Sequence, residues 1–217
     1  MSDGPAPGPF GAQRTIDIPT MLWTLAEAPY TTRAMSDRRL DGFERTVLPH
    51  LGAAYNLARW LTRNEADAQD VVQEACLRAL RYFDGLSGAD KAKAWLLSIV
   101  RHACFTWLAK NRPGELGPLD DEASESLVAG GKDDPETPER ALLAADERAL
   151  LDRLIEALPP EFREVVILRE LEELSYREIA EITALPIGTV MSRLSRARER
   201  LRAQWARQQA PEERHGL

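Results

Sequence analysis

The chain has 217 residues, of which 44% are hydrophobic and 29% charged, a composition that suits one ordinary globular domain or two small ones. Its formal net charge of −7 argues against a general affinity for nucleic acid, because attraction to phosphate groups requires an excess of Lys and Arg. No apolar run approaches the roughly 20 residues that a membrane span requires, and the N-terminus lacks a secretion signal, so we expect a cytoplasmic protein without a membrane span.

Residues 38–111 are predicted to form three helices, because apolar residues recur there at steps of three and four nearly throughout. The first helix is predicted over Gly42 to Arg63, the second over about Ala66 to Phe83, and the third over about Ala92 to Lys110. Residues 1–37, which precede them, are rich in proline and glycine and are predicted to be a flexible extension.

The second predicted helix has an unusual outward face. Helical spacing points a set of apolar side chains inward: Val71, Ala75, Ala79 and Tyr82. The same spacing points a mixed set outward: Asp70, Gln73, Leu77 and Arg81. A leucine surrounded by charged and polar side chains suits a protein interface with an apolar anchor and a polar rim, although an ordinary exposed helix face is the alternative.

The two cysteines, Cys76 and Cys104, lie in helix-like stretches with no Cys or His nearby at metal-ligand spacing. We therefore expect two buried, reduced thiols and neither a metal nor another cofactor. The chain also shows no nucleophile–base set and no phosphate-binding glycine loop, so an enzyme is the class of protein that the sequence favours least.

Residues 112–140 interrupt the helical pattern with four prolines and four glycines. This segment holds nine acidic and three basic residues, so its net charge of −6 accounts for nearly all the excess acidity of the chain. We predict a flexible, solvated linker between two domains.

Residues 141–207 are again predicted to be helical, with a flexible tail at residues 208–217. One helix runs through Leu158 to a Pro-Pro pair that ends it, and the next runs from Glu161 to Leu171. The chain shows no alternation typical of strands. We therefore predict an all-α fold of two small helical domains joined by the acidic flexible linker.

The end of this region has the pattern of a helix-turn-helix. Ser175 and Glu178 have the spacing of a capping box, which opens a short helix. After a tight turn at Ala184 to Pro186, a longer helix is predicted to run to about Arg207. A short helix, a tight turn and a longer helix form the arrangement that places the second helix in a DNA groove.

The last predicted helix separates its apolar and polar residues. One stripe is predicted to be buried: Val190, Leu194, Ala197 and Leu201. The opposite side carries Ser192, Ser195, Arg196 and Glu199, and the flanks carry Arg193, Arg198 and Arg200. A helix in a major groove needs short polar side chains and an arginine towards the base edges and arginines towards the phosphates. A solvated, Arg-rich helix face is the alternative.

Residues 157–202 closely resemble domain 4 of the extracytoplasmic-function (ECF) sigma factors, in the phrases LPPEFREVVILRE, SYREIAEI and PIGTVMSRLSRARERL. Residues 55–84 and 94–112 resemble sigma domain 2, in YNLARWLTRNEADAQDVVQEACLRALRYFD and AWLLSIVRHACFTWLAKNR. The chain departs from the family pattern at Ala184, where Gly is common, and at Met191, where Lys or Arg is common. It departs again at His102 and Thr106, where the family often has Asn and Asp.

The resemblance implies a domain 2 bundle at residues 38–111, a domain 4 helix-turn-helix at residues 141–207, and three functional surfaces. It implies that core RNA polymerase is bound by Asp67, Asp70, Gln73, Glu74, Leu77 and Arg81. It implies that the −10 element is read by Leu86, Ser87, Gly88, Ala89, Asp90, Lys91, Trp95, Arg101 and His102. It implies that the −35 element is read by Ser175, Tyr176, Arg177, Thr189, Ser192, Arg193, Ser195, Arg196, Arg198 and Arg200.

An alternative sigma factor of this kind has three expected partners: the β′ and β subunits of core RNA polymerase, promoter DNA, and an anti-sigma factor. Two other functions stay open at this point. A helix-turn-helix regulator would bind DNA without polymerase, and a sigma-like decoy would sequester an anti-sigma factor without binding DNA. Binding of core polymerase distinguishes the first, and promoter-directed transcription distinguishes the second.

Overall fold

The computed structural model describes residues 37–116 and 138–209, with side chains described for residues 39–116 and 146–208. All regular elements in these residues are helices, which confirms the predicted all-α fold. The predicted N-terminal extension, most of the acidic linker and the predicted tail lie outside the described residues. None of the helices in the described residues is long and apolar enough to cross a membrane.

The N-terminal unit, residues 37–116, contains four α-helices: α1 (Asp37–Val47), α2 (Leu51–Thr62), α3 (Glu65–Arg81) and α4 (Ala92–Asn111). The prediction of one helix from Gly42 to Arg63 is wrong, because a 3-10 turn at Leu48–His50 separates α1 from α2. Pro49 lies in this turn and has no backbone N–H to donate, so a continuous α-helical hydrogen-bond ladder cannot run through it.

Helices α2, α3 and α4 pack on one another and enclose the core of the N-terminal unit. Its fully buried side chains include Leu51, Leu57, Leu61, Val72, Leu96, Leu97 and Val100. Cys76 and Cys104 are buried as free thiols, as predicted. Burial raises the pKa of the Cys76 thiol to about 12 and raises the pKa of Cys104 as well, so neither forms the reactive thiolate at neutral pH.

The C-terminal unit, residues 138–209, contains α5 (Pro138–Glu156), α6 (Pro160–Val166), α7 (Tyr176–Thr183) and α8 (Ile187–Gln209). Helix α6 continues into a π-helical turn at Ile167–Leu171. Helix α5 begins at Pro138, inside the segment predicted as linker. Pro138 and Pro160 each stand at the first position of a helix, where the missing N–H has no partner to lose and the fixed φ of proline favours the helix.

The turn between α7 and α8 keeps the left-handed conformation that glycine favours, although Ala184 occupies it with φ 55° and ψ 38°. This conformation costs a non-glycine residue roughly 1–2 kcal/mol. We expect Ala184→Gly to raise the free energy of unfolding by about 1 kcal/mol in chemical denaturation. Ala180→Gly, inside α7, is the matched control and should lower it by about as much. A loss of stability in Ala184→Gly would contradict the prediction.

The two units pack directly against each other. Helix α4 of the N-terminal unit lies against α7 of the C-terminal unit, and α2 lies against α6. Arg163 of α6 is only 1% exposed and reaches across this contact to donate to the backbone carbonyls of Trp60 (3.0 Å) and Leu61 (3.2 Å). The contact therefore brings the last helix of one unit close to the helix-turn-helix of the other.

Candidate nucleic-acid interface

The helix-turn-helix opens with the predicted capping box. The Ser175 hydroxyl accepts a hydrogen bond from the Glu178 amide (3.2 Å), and the Glu178 carboxylate accepts one from the Ser175 amide (2.8 Å). The hydrogen bonds from the Ser175 side chain and amide lower the pKa of the Glu178 carboxyl below its ordinary value. The first turn of α7 is thereby fixed, which leaves Ser175 and Arg177 exposed and Tyr176 half-buried at its start.

Helix α8 buries the predicted apolar stripe: Val190, Leu194 and Ala197 are buried and Leu201 is partly buried. Arg196 departs from its predicted place on an exposed face, since it is only 8% exposed. A helical wheel accounts for one buried side of a helix, whereas α8 packs against α5, α6 and α7. Long-range packing therefore covers a second side of α8 that helical spacing alone leaves open.

The other residues predicted to read the −35 element lie along α8 with different exposures. Thr189, Ser192 and Ser195 are half-buried. Arg198 is half-buried and pairs with Glu170 at 2.5 Å, and the exposed Arg200 places its guanidinium 4.6 Å from the ring centroid of Phe162. Partners within the C-terminal unit thus hold the side chains of these two arginines against the sides of α8.

Two apolar residues at the start of α8 are more exposed than their type usually is: Ile187 at 47% and Met191 at 51%. Prediction from the sequence missed Ile187 and treated Met191 only as the loss of a cation. Both lie at the N-terminal end of the helix, the end whose residues contact base edges in helix-turn-helix proteins. Their position just after the turn was a signal that could have identified them.

The face of α3 predicted to bind a partner is accessible. Asp70, Glu74 and Arg81 are exposed, and Asp67, Gln73 and Leu77 are half-buried. The inward prediction for Tyr82 is wrong, because this residue is 64% exposed. Helix α3 ends at Arg81 and Tyr82 has φ −104° and ψ 13°, so the helical spacing that pointed its ring inward no longer applies.

The loop predicted to read the −10 element borders a small cavity. The cavity has a volume of about 160 Å³ and lies between Leu86, Ser87 and Trp95 of the N-terminal unit and Glu181 and Ile182 of α7. Trp95 thus lies beside the loop, as expected, and helix α7 forms part of the cavity wall. The other loop residues, which are all exposed, are Gly88, Ala89, Asp90 and Lys91.

A second, more open cavity of about 250 Å³ lies next to the first and is lined by Arg78, Tyr82, Ser98, Ile99 and His102. Ser98 lines both cavities. His102, one of the departures from the family pattern, is exposed on α4 and lines this second cavity. Tyr82, which was not among the predicted site residues, lines it as well. The aromatic ring and the imidazole give the surface beside the loop groups on which a base can stack.

Arg101 of α4 and Arg193 of α8 converge on one carboxylate that prediction from the sequence missed. Glu164 of α6 is fully buried and accepts from Arg101 Nε (2.5 Å) and Nη2 (3.1 Å), and it pairs with Arg193 Nη1 at 3.5 Å. Burial raises the pKa of the Glu164 carboxyl above its ordinary value, and the two guanidiniums oppose this shift. Glu164 lies in a largely apolar run that includes Phe162 and Val165. A charged residue in such a run was the signal that could have identified it.

Within the described residues, no group of three or more His, Cys, Asp or Glu side chains could hold a metal ion. The predicted site residues that the structure describes supply hydrogen-bond donors, cations and an aromatic ring. These groups lie on a capped helix-turn-helix, on α4 and on the loop before α4. This inventory has the kinds of groups that proteins use to contact nucleic acid.

Comparison with known families agrees with this inventory. Residues 46–113 match the model for Sigma-70 region 2, and residues 148–201 match the model for Sigma-70 region 4. The ECF RNA polymerase sigma-E factor of Escherichia coli (strain K12) is 38% identical over 135 residues, which cover 61% of this chain and 71% of that protein. The sigma-E factor of Haemophilus influenzae is 36% identical over 145 residues, covering 66% and 76%.

Solved structures show the same fold. The sigma factor RpoE from Bartonella quintana, in complex with the anti-sigma factor NepR, matches with a TM-score of 0.56 and 25% identity over 76% of this chain and 97% of that one. CnrH in complex with the cytosolic domain of CnrY matches in fold with a TM-score of 0.52 and 24% identity, over 77% and 90%. The two family models span more than half of the chain. The chain therefore belongs to the ECF sigma factors of RNA polymerase, which are DNA-binding transcription initiation factors and not enzymes.

Proposed function

We propose that this sigma factor joins core RNA polymerase through residues 38–111, which also read the −10 element, and reads the −35 element through residues 141–207. The acidic segment 112–140 connects the two parts. The observation that supports this proposal most strongly is the capped helix-turn-helix, whose second helix carries serines and arginines on the sides away from its apolar stripe. Such a helix presents donors both to base edges and to phosphates.

The accessible face of α3 is proposed to bind the β′ subunit of core polymerase, while the C-terminal unit contacts the β subunit. Leu77 supplies an apolar anchor, and its neighbours supply the polar rim: Asp67, Asp70, Gln73, Glu74 and Arg81. Leu77 packs partly against the core and leaves the rest of its side chain accessible to a partner.

The loop over residues 86–91, together with Trp95, Arg101 and His102, is proposed to hold the melted strand of the −10 element. Removing a base from its stack costs a few kcal/mol, which stacking on aromatic side chains and contacts to the cations can offset. The two adjacent cavities beside this loop supply the required concave surface.

The −35 element is proposed to contact the start of α7 and the polar sides of α8. Arg196 reads a base edge, while Arg193, Arg198 and Arg200 reach phosphates, and Ser175, Tyr176, Arg177, Thr189, Ser192 and Ser195 complete the surface. Arg196 is covered in this arrangement, so a base contact requires that α8 be uncovered first. An anti-sigma factor is the proposed regulator, because the similar sigma factor RpoE from Bartonella quintana is in complex with the anti-sigma factor NepR.

Reconstituted transcription tests the proposed function. Bacterial core RNA polymerase supplemented with this chain should start transcripts at discrete genomic sites, and the sites should share two sequence elements at the −10 and −35 positions. Core polymerase alone should give no such starts. If the chain pulls down core polymerase but no shared elements emerge, the proposal of promoter reading is wrong. If it binds DNA without polymerase, it is a stand-alone regulator.

Arg196→Ala extends this test to the −35 surface. We expect it to weaken binding to a mapped promoter by roughly 1–3 kcal/mol while binding to a shuffled duplex changes little, as for an arginine that reads a base. Arg207→Ala, an exposed arginine near the end of the same helix, is the matched control. Equal losses on both duplexes would instead assign Arg196 to a phosphate. Thermal unfolding of each variant separates these effects from a loss of fold.

A further inference from the structure

One carboxylate occupies two arginines that the proposed function assigns to two different DNA elements. Arg101 lies on α4 in the N-terminal unit and Arg193 lies on α8 in the C-terminal unit, yet both pair with Glu164. The Glu164 side chain is 0% exposed, and the side chains of Arg101 and Arg193 are only 21% and 14% exposed. The charged groups of both arginines are thus directed into the protein and away from solvent.

The geometry at Glu164 resembles the way an arginine binds a phosphate. Arg101 donates from Nε and Nη2 to the two carboxylate oxygens, the two-point contact that guanidinium groups also make with phosphate. An arginine held in this way has its donors satisfied and cannot bind DNA with the same atoms. DNA and Glu164 therefore compete for these side chains.

Further polar contacts hold the two units in this arrangement. Glu172, in the segment before α7, pairs with Lys93 at 3.0 Å and accepts from Asn56 at 3.2 Å, both in the N-terminal unit. Arg163 adds the hydrogen bonds to the carbonyls of Trp60 and Leu61. Contacts of this kind between domains can separate when other partners satisfy the same groups.

The same packing places the helix-turn-helix beside the loop that is proposed to read the −10 element. Glu181 and Ile182 of α7 complete the wall of the cavity beside Leu86, Ser87 and Trp95. The contact between α4 and α7 thus brings the two proposed DNA-reading surfaces together, and Glu164 occupies one arginine of each.

We propose that Glu164 is an internal competitor for DNA phosphate: it holds Arg193 inside its own unit, and its pair with Arg101 of the other unit keeps the chain closed. This inference rests on the proposed function, because that function assigns Arg101 and Arg193 to DNA. If only open molecules bind DNA, the apparent affinity for DNA falls in proportion to the fraction of molecules that are open. Loss of Glu164 should raise this fraction and so strengthen DNA binding.

The first test replaces Glu164 with glutamine in the full chain. Glu164→Gln keeps the shape of the side chain but leaves two guanidiniums facing each other without a counter-charge, so the closed form should open. We expect promoter binding to become about tenfold tighter, within the range typical of coupling between sites. Asp84→Asn is the matched control, because Asp84 pairs with Arg39 inside the N-terminal unit and neither residue is assigned to a DNA-reading surface.

Separation of the units is measured without DNA. Dyes on cysteines introduced at the exposed positions Glu44 and Arg153 report the distance between the units by energy transfer. Cys76 and Cys104 are buried and should stay unlabelled. Glu164→Gln should lower the transfer efficiency and Asp84→Asn should not. If Glu164→Gln lowers the efficiency without changing promoter affinity, the competition is overturned while the proposed function stands.

A reversible bridge keeps the test valid if Glu164→Gln fails to fold. Cysteines in place of Lys93 and Glu172, which pair across the interface, can be joined by a short bis-methanethiosulfonate reagent. We expect the bridged chain to bind a mapped promoter duplex at least about tenfold more weakly than the same chain after reduction. Equal affinity before and after reduction would overturn the proposal. Failure of the reduced chain to direct transcription with core polymerase would instead count against the proposed function.

Discussion

Arg163→Ala is expected to be the most destabilising single substitution at the interface, lowering the free energy of unfolding by about 3 kcal/mol. Arg163 is 1% exposed and donates to five backbone carbonyls, two in the N-terminal unit and three near the end of α5. The shortest of these bonds run to Leu158 (2.6 Å) and Glu156 (2.7 Å). Alanine would leave the carbonyls of Trp60, Leu61 and Leu158 without this donor in a region that water hardly reaches. The carbonyls of Ile155 and Glu156 keep hydrogen bonds from the Leu158 amide and the Arg63 guanidinium.

The cost of burying the guanidinium is the opposing effect. Burial lowers the pKa of Arg163 to about 10, so the group stays charged at neutral pH and its desolvation offsets part of the gain from its hydrogen bonds. Truncation removes this cost but leaves several orphaned carbonyls, each worth roughly 1–3 kcal/mol where water cannot replace the donor. The free energy lost with the hydrogen bonds therefore outweighs the desolvation cost that truncation removes.

Urea denaturation of the purified variants measures this effect. Arg153→Ala is the matched control, because Arg153 is an exposed arginine on α5 and should change the stability by less than about 0.5 kcal/mol. Arg163→Lys should fall between the two, since one ammonium group cannot reach all the carbonyls that the guanidinium spans. A change below about 1 kcal/mol in Arg163→Ala would show that these carbonyls find other donors.

Leu77→Asp is expected to have the largest effect on the binding of core polymerase. An apolar anchor ringed by polar side chains is the usual form of an interface hot spot, so a charge at this position should cost about 2 kcal/mol or more, roughly a 30-fold loss of affinity. Leu77 is only half-buried against the core, so the fold should tolerate the change better than it would at the fully buried Val72.

Competition binding to core polymerase measures this loss, and run-off transcription should fall in parallel. Leu40→Asp is the matched control, because Leu40 is an exposed leucine of the same unit (42% exposed) that lies on α1 and outside the proposed face. Affinity within about threefold of the parent, in a Leu77→Asp variant with unchanged helical content, would exclude this face as the polymerase contact.

The sequence alone was enough to predict most of the local structure. Capping at Ser175, the apolar stripe through Val190 and Leu194, and the buried thiols all agree with the structure, because each follows from residues close together in the chain. The motifs of residues 55–112 and 157–202 also identified the family, which the comparisons confirm. The proposed DNA and polymerase contacts still rest on resemblance and surface chemistry.

Two predictions from helical spacing failed at the ends of helices. Tyr82 was assigned to a buried face by extending the spacing of α3 one residue beyond its last turn. The helix predicted across Pro49 is broken for a similarly local reason, the missing amide of proline. These two errors are errors of element boundaries, which hydrophobic spacing defines poorly because an apolar residue can belong to the end of one element or to the next.

The sequence by itself determined that this protein is a helical ECF sigma factor, because helical periodicity, capping and the motif phrases are properties of neighbouring residues. Only the tertiary structure decided that Arg163 and Glu164 are buried and that Arg101, Arg193 and Arg196 are covered. Each of these outcomes depends on helices far apart in the chain, such as the 63 residues between Arg101 and Glu164. Burial of a charged side chain requires partners in three dimensions, and no local pattern specifies which partners those are.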